Sequence, residues 1–400
     1  MKRTRVLQGI RAMRFKEVYE KRAHKRLTVE QAADLLGVCE RTFRRWSLRY
    51  EEEGAAGLAD QRLDRVAHNA APVDEVMALV SLYKTYYRNW NVNHFYDQYR
   101  RQHAGERCYS WVKNKLQTEG LVEKAKKRGA HRRKRSRKPM VGMMLHQDGS
   151  THQWVAGEYW DLIVTLDDAD GHILSAFFVE EEGTWSSLRG VGEVIAEHGL
   201  FCSLYVDRGS HYFHTPKAGG KVDKHNPTQF GRAMQQLGID LIPAYSPEAR
   251  GRSERLFGTL QGRLPQELAL HNITTMDAAN HYLKAHFIPA FNERFGVEPE
   301  APESAFVPYL GAPESLKEIL CLHHQRQVNR DNTVSLNTLS LQLPADPGRR
   351  SYFKTQVHIH EYAEGGLSVF HGPRKLANYD KGGNLLVDKA NSSKNQTMTA

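Results

Sequence analysis

Between Met143 and Phe291 the chain switches repeatedly between short apolar runs and helical periodicity, and the order of the switches leaves few folds open. Apolar runs at Tyr159 to Leu166 and Ile173 to Val179 flank Asp170-Gly171, a hairpin turn signal. A helix is expected over Thr184 to His198, a strand over Leu200 to Val206, a helix over Pro227 to Leu237 and a strand over Ile239 to Ile242. Ser246 is a suitable N-cap and Pro247 suits the first position of a further helix. With the apolar run Val141 to Leu145 in front, the order is strand, strand, strand, helix, strand, helix, strand, helix, which predicts an α/β domain.

The flanking segments have other signatures. Leu27 to Trp46 reads as a helix-turn-helix: Thr28 and Gln31 form a capping-box pattern, Gly37 ends the first helix, and the second carries Phe43 and Trp46 inward. Arg41, Thr42, Arg44 and Arg45 are left to face a DNA groove. Val73, Val76, Val80, Tyr83 and Tyr87 form a helical stripe expected to be core, and Asn93 to Leu116 reads as a weaker helix-turn-helix pair with Lys113 and Lys115 as candidate DNA contacts. From Asn332 the period becomes two, through Val334, Leu336, Leu339, Leu341 and Leu343 and again at Val357, Ile359 and Leu367 to Phe370, as in a small antiparallel β-barrel. The expected organisation is a helix-turn-helix domain (1–62), a second helical DNA-binding domain (63–123), a basic linker (124–140), the α/β core (141–298), a linker (299–331), the β-barrel (332–387) and a disordered tail (388–400).

Charge narrows the partners. The formal net charge of the 400-residue chain is +10, which favours a polyanion but does not by itself separate DNA from RNA or an anionic membrane. Lys124 to Lys138 holds no acidic residue, and Arg132, Arg133, Arg135 and Lys138 are expected to track phosphates. Cys39, Cys108, Cys202 and Cys321 show no Cys-x-x-Cys spacing, and the apolar segments are too short to cross a bilayer. A cytoplasmic protein with no membrane partner is expected. His323-His324 and His358-x-His360 read as surface or strand histidines.

Three carboxylates carry the chemistry. Asp148 and Asp207 follow apolar runs, so each is expected at a strand's end; Glu254 falls in the early turns of the helix opened by Ser246. Oxygen donors gathered this way suit Mg2+, which keeps several waters and leaves positions for phosphate oxygens. Two ions can activate the attacking oxygen and stabilise the leaving one; in this arrangement Asp148 bridges both, Asp207 holds one and Glu254 the other, with Mn2+ as a substitute. Glu248 competes for the third place, but Glu254 is flanked by Arg252 and Arg255, which are candidates to meet phosphates. The turn Asp167-Asp168-Ala169-Asp170 fails the EF-hand spacing, and Lys217 to Lys221 fails the phosphate-loop pattern.

The strings Gln147-Asp148-Gly149-Ser150-Thr151-His152-Gln153-Trp154, Asp207-Arg208-Gly209-Ser210, Thr228-Gln229-Phe230-Gly231-Arg232-Ala233 and Ser246 to Arg255 resemble the retroviral-integrase-like (DDE) core of bacterial insertion-sequence transposases, most closely the ISNCY group. The resemblance covers most of the chain, with an insertion around Phe213 to Asn226 lengthening the interval from Asp207 to Glu254. It implies an RNase H-like fold, Mg2+ dependence, Asp148, Asp207 and Glu254 as catalytic acids, binding to the terminal inverted repeats and target DNA, and a homo-oligomer, at least a dimer, on double-stranded DNA. The leading expectation is therefore a transposase that cleaves 3' ends and transfers strands. A non-catalytic DNA-binding regulator that keeps the core as a scaffold, and a stand-alone nuclease, are the alternatives.

Overall fold

The computed structural model describes residues 2–59, 71–124, 136–216, 220–223, 225–245, 251–346 and 348–386. Glu248, Arg132, Arg133, Arg135 and the expected tail 388–400 lie outside the described residues. The chain forms two units, Met1–Thr85 and Tyr86–Ala400.

The first unit contains α1 (Lys2–Ala23), α2 (Val29–Leu36), α3 (Glu40–Glu53) and all but the last residue of α4 (Val73–Tyr86). The capping box is present in full: the Gln31 N–H donates to Thr28 Oγ1 at 3.1 Å and the Thr28 N–H donates to Gln31 Oε1 at 3.0 Å. Gly37 then closes α2 with φ of 67°, a left-handed conformation that other residues adopt only at a cost. Phe15 anchors the core, its ring 5.6 Å from Phe43 and 5.9 Å from Trp46, with Ala32 and Ala33 small enough to let α2 approach. In α4 the buried pair is Leu79 and Tyr83; Val73, expected in the stripe, is 75% exposed because it lies in the first helical turn.

The second unit opens with α5 (Val92–Arg101) and α6 (Tyr109–Thr118) and continues into a five-stranded sheet. Its strands are β1 (Leu145–Val155), β2 (Glu158–Asp167), β3 (Ile173–Val179), β4 (Ser203–Val206) and β5 (Asp240–Pro243), in the order β3-β2-β1-β4-β5. The first three are antiparallel, and β4 and β5 run parallel to β1. This is the mixed sheet of an RNase H-like core, and α7 (Thr184–His198), α8 (Gln229–Leu237) and α9 (Gly251–Gln261) fall where the sequence periodicity placed helices.

Alternation along β2 divides the core into two. Trp160, Leu162, Val164 and Leu166 face α9, α10 (Leu264–Leu270), α11 (Met276–Tyr282) and α12 (Ile288–Phe295). On the other face Leu145, Leu204 and Val206 pack against α7 and α8 through Leu188, Val191, Phe230 and Met234.

α5 docks on the core through polar groups. His94 Nε2 lies 2.6 Å from Glu267 Oε1, and Arg263 Nη1 donates to Asp97 Oδ2 at 2.8 Å. One face of α5 is thereby committed to the catalytic core.

The stretch 299–331, expected as a linker, holds α13 (Pro313–Ile319) and β6 (Leu322–Gln327). The sequence of β6, Leu-His-His-Gln-Arg-Gln, has no apolar alternation to announce a strand. β7 (Thr333–Leu336) and β8 (Leu339–Gln342) form a separate ribbon. β9 (Gln356–Glu361), β10 (Leu367–His371), β11 (Arg374–Tyr379) and β12 (Leu385–Leu386) join β6 in the order β12-β11-β10-β9-β6, antiparallel throughout. One core of Val334, Leu336, Leu341, Val357, Ile359 and Val369 unites the antiparallel sheet and the ribbon, and the hydrogen-bonded sheet is open, with β12 and β6 at its edges.

Candidate active site

Asp148 is the fourth residue of β1, inside the strand and not at its end as its position after an apolar run suggested; the strand starts at Leu145 because Val141 to Met144 form a turn and bridge first. Asp207 immediately follows β4, as expected. The parallel register pairs Leu145 with Leu204 and His146 with Tyr205, so continuing it brings Asp148 level with Asp207. Both acids share the parity of His146 and Tyr205, whose rings are 5.1 Å apart, and therefore the sheet face covered by α9.

Local hydrogen bonds orient the two carboxylates. Asp148 Oδ1 accepts from the Gly149 N–H at 3.1 Å, and Asp207 Oδ1 accepts from the Gly209 N–H at 2.7 Å. Asp148 is buried, 8% exposed, where a carboxylate needs such donors or a cation.

α9 is held over this face at both ends. Near its start, Arg252 Nε lies 3.0 Å from Asp168 Oδ1, and its two Nη atoms donate to the carbonyls of Asp168 and Ser136 at 2.7 and 3.0 Å. At its end, Gln261 Nε2 donates to Ser150 Oγ at 3.0 Å. Those anchors lie beside β1 on either side of Asp148, and Glu254 is exposed in the first turn of α9 between them.

Asp168 is a hub. His146 Nε2 lies 2.7 Å from Oδ1 and the Lys138 N–H donates to Oδ2 at 2.7 Å. Burial pushes its carboxyl up, but the hydrogen bonds from His146 and Lys138 and the charges of His146 and Arg252 outweigh that and bring it down to about 2. Asp167 goes the other way. Burial raises it to about 6, against hydrogen bonds from the Gly142 and Ala169 amides. The acidic turn is thus a structural knot beneath α9.

Glu182 sits against Gly149, on the face of β1 opposite to that of Asp148, and nothing in its sequence setting announced it. It precedes α7, where its N–H donates to Asp161 Oδ2 at 2.7 Å. Its Oε2 stands 2.1 Å from where a Cβ on Gly149 would lie, so only glycine admits the carboxylate there. His211 Nε2 is 3.5 Å from Glu182 Oε1. Tyr212 lies behind these groups, donating to Gln147 Oε1 at 3.2 Å and accepting from Ser187 Oγ at 3.2 Å. Burial above all, then the charges of Glu182, Asp207 and Asp148, pushes its phenol well up, so it stays protonated as a donor. The one available signal was the run Glu180-Glu181-Glu182 ahead of Gly183, which resembles any exposed loop.

The proposed DNA contacts are spread over the described residues. Arg41, Arg44 and Arg45 are exposed on α3, with Arg44 Nη2 2.7 Å from Glu40 Oε2, and Thr42 is half-buried with its hydroxyl 3.2 Å from Cys39 Sγ. Lys113 and Lys115 are half-buried on α6, Lys115 Nζ lying 5.9 Å from the centroid of Trp111. Lys138 and Arg255 are exposed, whereas Arg252 is drawn inward by Asp168 with its side chain 17% exposed.

The donor set fits Mg2+: Asp148 on β1 and Asp207 after β4 offer carboxylate oxygens, the hard ligands that this ion takes. No helix among the described residues is long and apolar enough to cross a membrane.

Residues 16–69 match the winged helix-turn-helix family model. The chain is 29% identical over 358 residues to y4bF of Sinorhizobium fredii, named as a transposase, covering 88% of this chain and 77% of that one. It is 32% identical over 241 residues to the transposase for insertion sequence IS1202 of Streptococcus pneumoniae, covering 58% of this chain and 50% of that protein. Among solved structures, a simian T-cell lymphotropic virus intasome matches with a TM-score of 0.34 at 15% identity, over 66% of this chain and 84% of that one. The HTLV-2 integrase catalytic core domain in complex with magnesium matches with a TM-score of 0.28 at 14% identity, over 36% of this chain and 86% of that one. The chain is thus similar to one transposase over 88% of its length and to an insertion-sequence transposase over 58% of it.

Proposed function

We propose that this chain is a DNA transposase that binds the terminal inverted repeats of its element, cleaves the 3' ends and transfers them to target DNA. The observation that carries the reading is the parallel register of β1 and β4, which, continued past His146 and Tyr205, brings Asp148 level with Asp207. Asp148, Asp207 and Glu254 would hold two Mg2+ ions, or Mn2+ in their place. Bound there, the ions supply Lewis-acid activation of the attacking oxygen and stabilise the leaving one.

The protein's own part is positioning. The amides of Gly149 and Gly209 aim the two aspartates, and Arg252 and Gln261 hold α9 and therefore Glu254 in place. Preorganisation of this kind avoids rearranging charged groups when the phosphate binds. The exposed arginines of α3 read the repeat, with Arg255 and Lys138 meeting phosphates nearer the site. Strand transfer to a second DNA requires two ends at once, and a dimer or larger assembly on DNA follows.

Cleavage and joining of labelled DNA carrying the element's ends, with Mg2+ or Mn2+, tests the reading. Asp207→Asn and Glu254→Gln are expected to abolish nicking and joining while leaving DNA binding intact, and Glu248→Gln to remain active. Binding to authentic ends without any chemistry in the natural protein would instead favour a regulator.

A further inference from the structure

A second cluster of ligand-type side chains lies away from the acids, where α13 and β6 meet the catalytic core. Cys321 is fully buried and precedes β6 by one residue, and His323 is two residues on, so both side chains share one face. The β6–β9 register places His360 directly opposite His323. Their rings stack with centroids 3.8 Å apart and planes within 6°. One donor atom each from Cys321, His323 and His360 consequently falls within 4.8 Å of the other two.

Glu318 touches every member. Its Oε2 is 2.6 Å from His360 Nδ1, and its carbonyl oxygen accepts from Cys321 Sγ at 3.2 Å and lies 2.8 Å from His323 Nε2. Lys375 Nζ, 2.6 Å from Oε1, and the Tyr362 hydroxyl, 2.6 Å from Oε2, hold that carboxylate in place. Phe370 closes the outer side, its ring 4.2 Å from that of His360.

We propose that Cys321, His323 and His360, with the Glu318 carboxylate beside them, form a structural site for a divalent cation of the Zn2+ class. One sulfur and two imidazole nitrogens make a three-residue set suited to Zn2+, with the fourth position left for water and the Glu318 carboxylate orienting the His360 ring from behind, whereas Mg2+ prefers oxygen alone. Binding releases the Cys321 thiol proton to solvent. Hydrogen bonding alone would hold such side chains together, but it does not call for a buried thiol focused with two imidazoles from separate strands.

The site would act as a clasp. α8 grips the same backbone: Gln229 Nε2 donates to the His323 carbonyl at 2.8 Å, Gln229 Oε1 accepts from the His323 N–H at 3.0 Å, and Arg232 donates to the carbonyls of Ile319 and Cys321. A cation here fixes the C-terminal sheet to the catalytic core through α13 and β6. It is independent of the catalytic reading.

Titration of the chelator-stripped full chain with Co2+ tests the site, because a thiolate ligand gives a near-ultraviolet charge-transfer band that carboxylates do not. One equivalent is expected to develop that band, Zn2+ to bleach it, and Cys321→Ser or His323→Gln to abolish it with unchanged far-ultraviolet circular dichroism. A variant lacking the exposed thiols Cys39, Cys108 and Cys202, and a second variant with Asp148→Asn and Asp207→Asn, are expected to retain it. Absence of the band in the natural chain, or its persistence in both Cys321→Ser and His323→Gln, overturns the proposal.

Discussion

The N–H of Glu182 donates to Asp161 Oδ2 at 2.7 Å, tying the loop before α7 to β2 and setting the Glu182 carboxylate against Gly149, next in sequence to Asp148. Gly149 is the counterpart of that contact. Gly149→Ala puts a methyl group where Glu182 Oε2 stands and is expected to shift either that carboxylate or β1 beside Asp148. Displacements on the order of 1 Å at a catalytic centre cost about 100-fold in rate. Single-turnover cleavage by Gly149→Ala is expected to fall by roughly that factor; a rate equal to that of the natural chain would show that the close packing of Gly149 on Glu182 does not position Asp148.

Arg252 was expected to meet a phosphate, and its guanidinium faces Asp168 instead. Arg252→Ala leaves a buried carboxylate with one cation fewer, a loss of about 3 to 5 kcal/mol when the remaining charge is not solvated. Urea unfolding is the measurement. A change below about 1 kcal/mol, with DNA affinity reduced, would return Arg252 to the DNA.

Asp167 and Asp168 lean in opposite directions with pH. The folded Asp168 carboxyl, at about 2 against an ordinary 3.8, contributes stability that is present above pH 3.8 and is lost as pH falls through 2. Asp167, at about 6, contributes stability that is full below pH 3.8 and is lost as pH rises through 6. Each contribution is on the order of 2 to 3 kcal/mol. Carboxyl 13C titration is expected to show Asp167 half-protonated near pH 6 while Asp168 stays ionised at pH 3.

Thr28→Ala removes one bond of the capping box and is expected to cost the first unit about 1 kcal/mol. Arg45→Ala touches no core residue and is expected to weaken binding to the element's ends and lower the slope of log affinity against log salt by about 1. An unchanged salt slope in Arg45→Ala would place that guanidinium off the phosphates.

Where residues repeat with a period, the sequence was legible. α7 begins and ends at Thr184 and His198 as expected, because Val191, Val194 and Ile195 face one core and Gly199 stops the helix. Asp207 followed its strand for the same reason. Glu182, Asp161 and the Cys321–His323–His360 cluster were not legible, since each depends on residues brought together by register and not by spacing along the chain. β6 was hidden because both of its faces carry polar side chains that find partners on β9, where His323 stacks on His360 and His324 Nε2 lies 2.8 Å from Glu361 Oε2.

The knot at Asp168 also says where the catalytic unit can be cut. Ser136 supplies a carbonyl to Arg252, Arg137 and Lys138 reach the acidic turn, and Pro139 and Val141 accept from the amides of Ala301 and Ala305. Leu200 and Val307 exchange backbone hydrogen bonds at 2.7 and 2.8 Å. A fragment trimmed to 141–298 would therefore lose the laces on both sides of β1, whereas one spanning 136–309 keeps them.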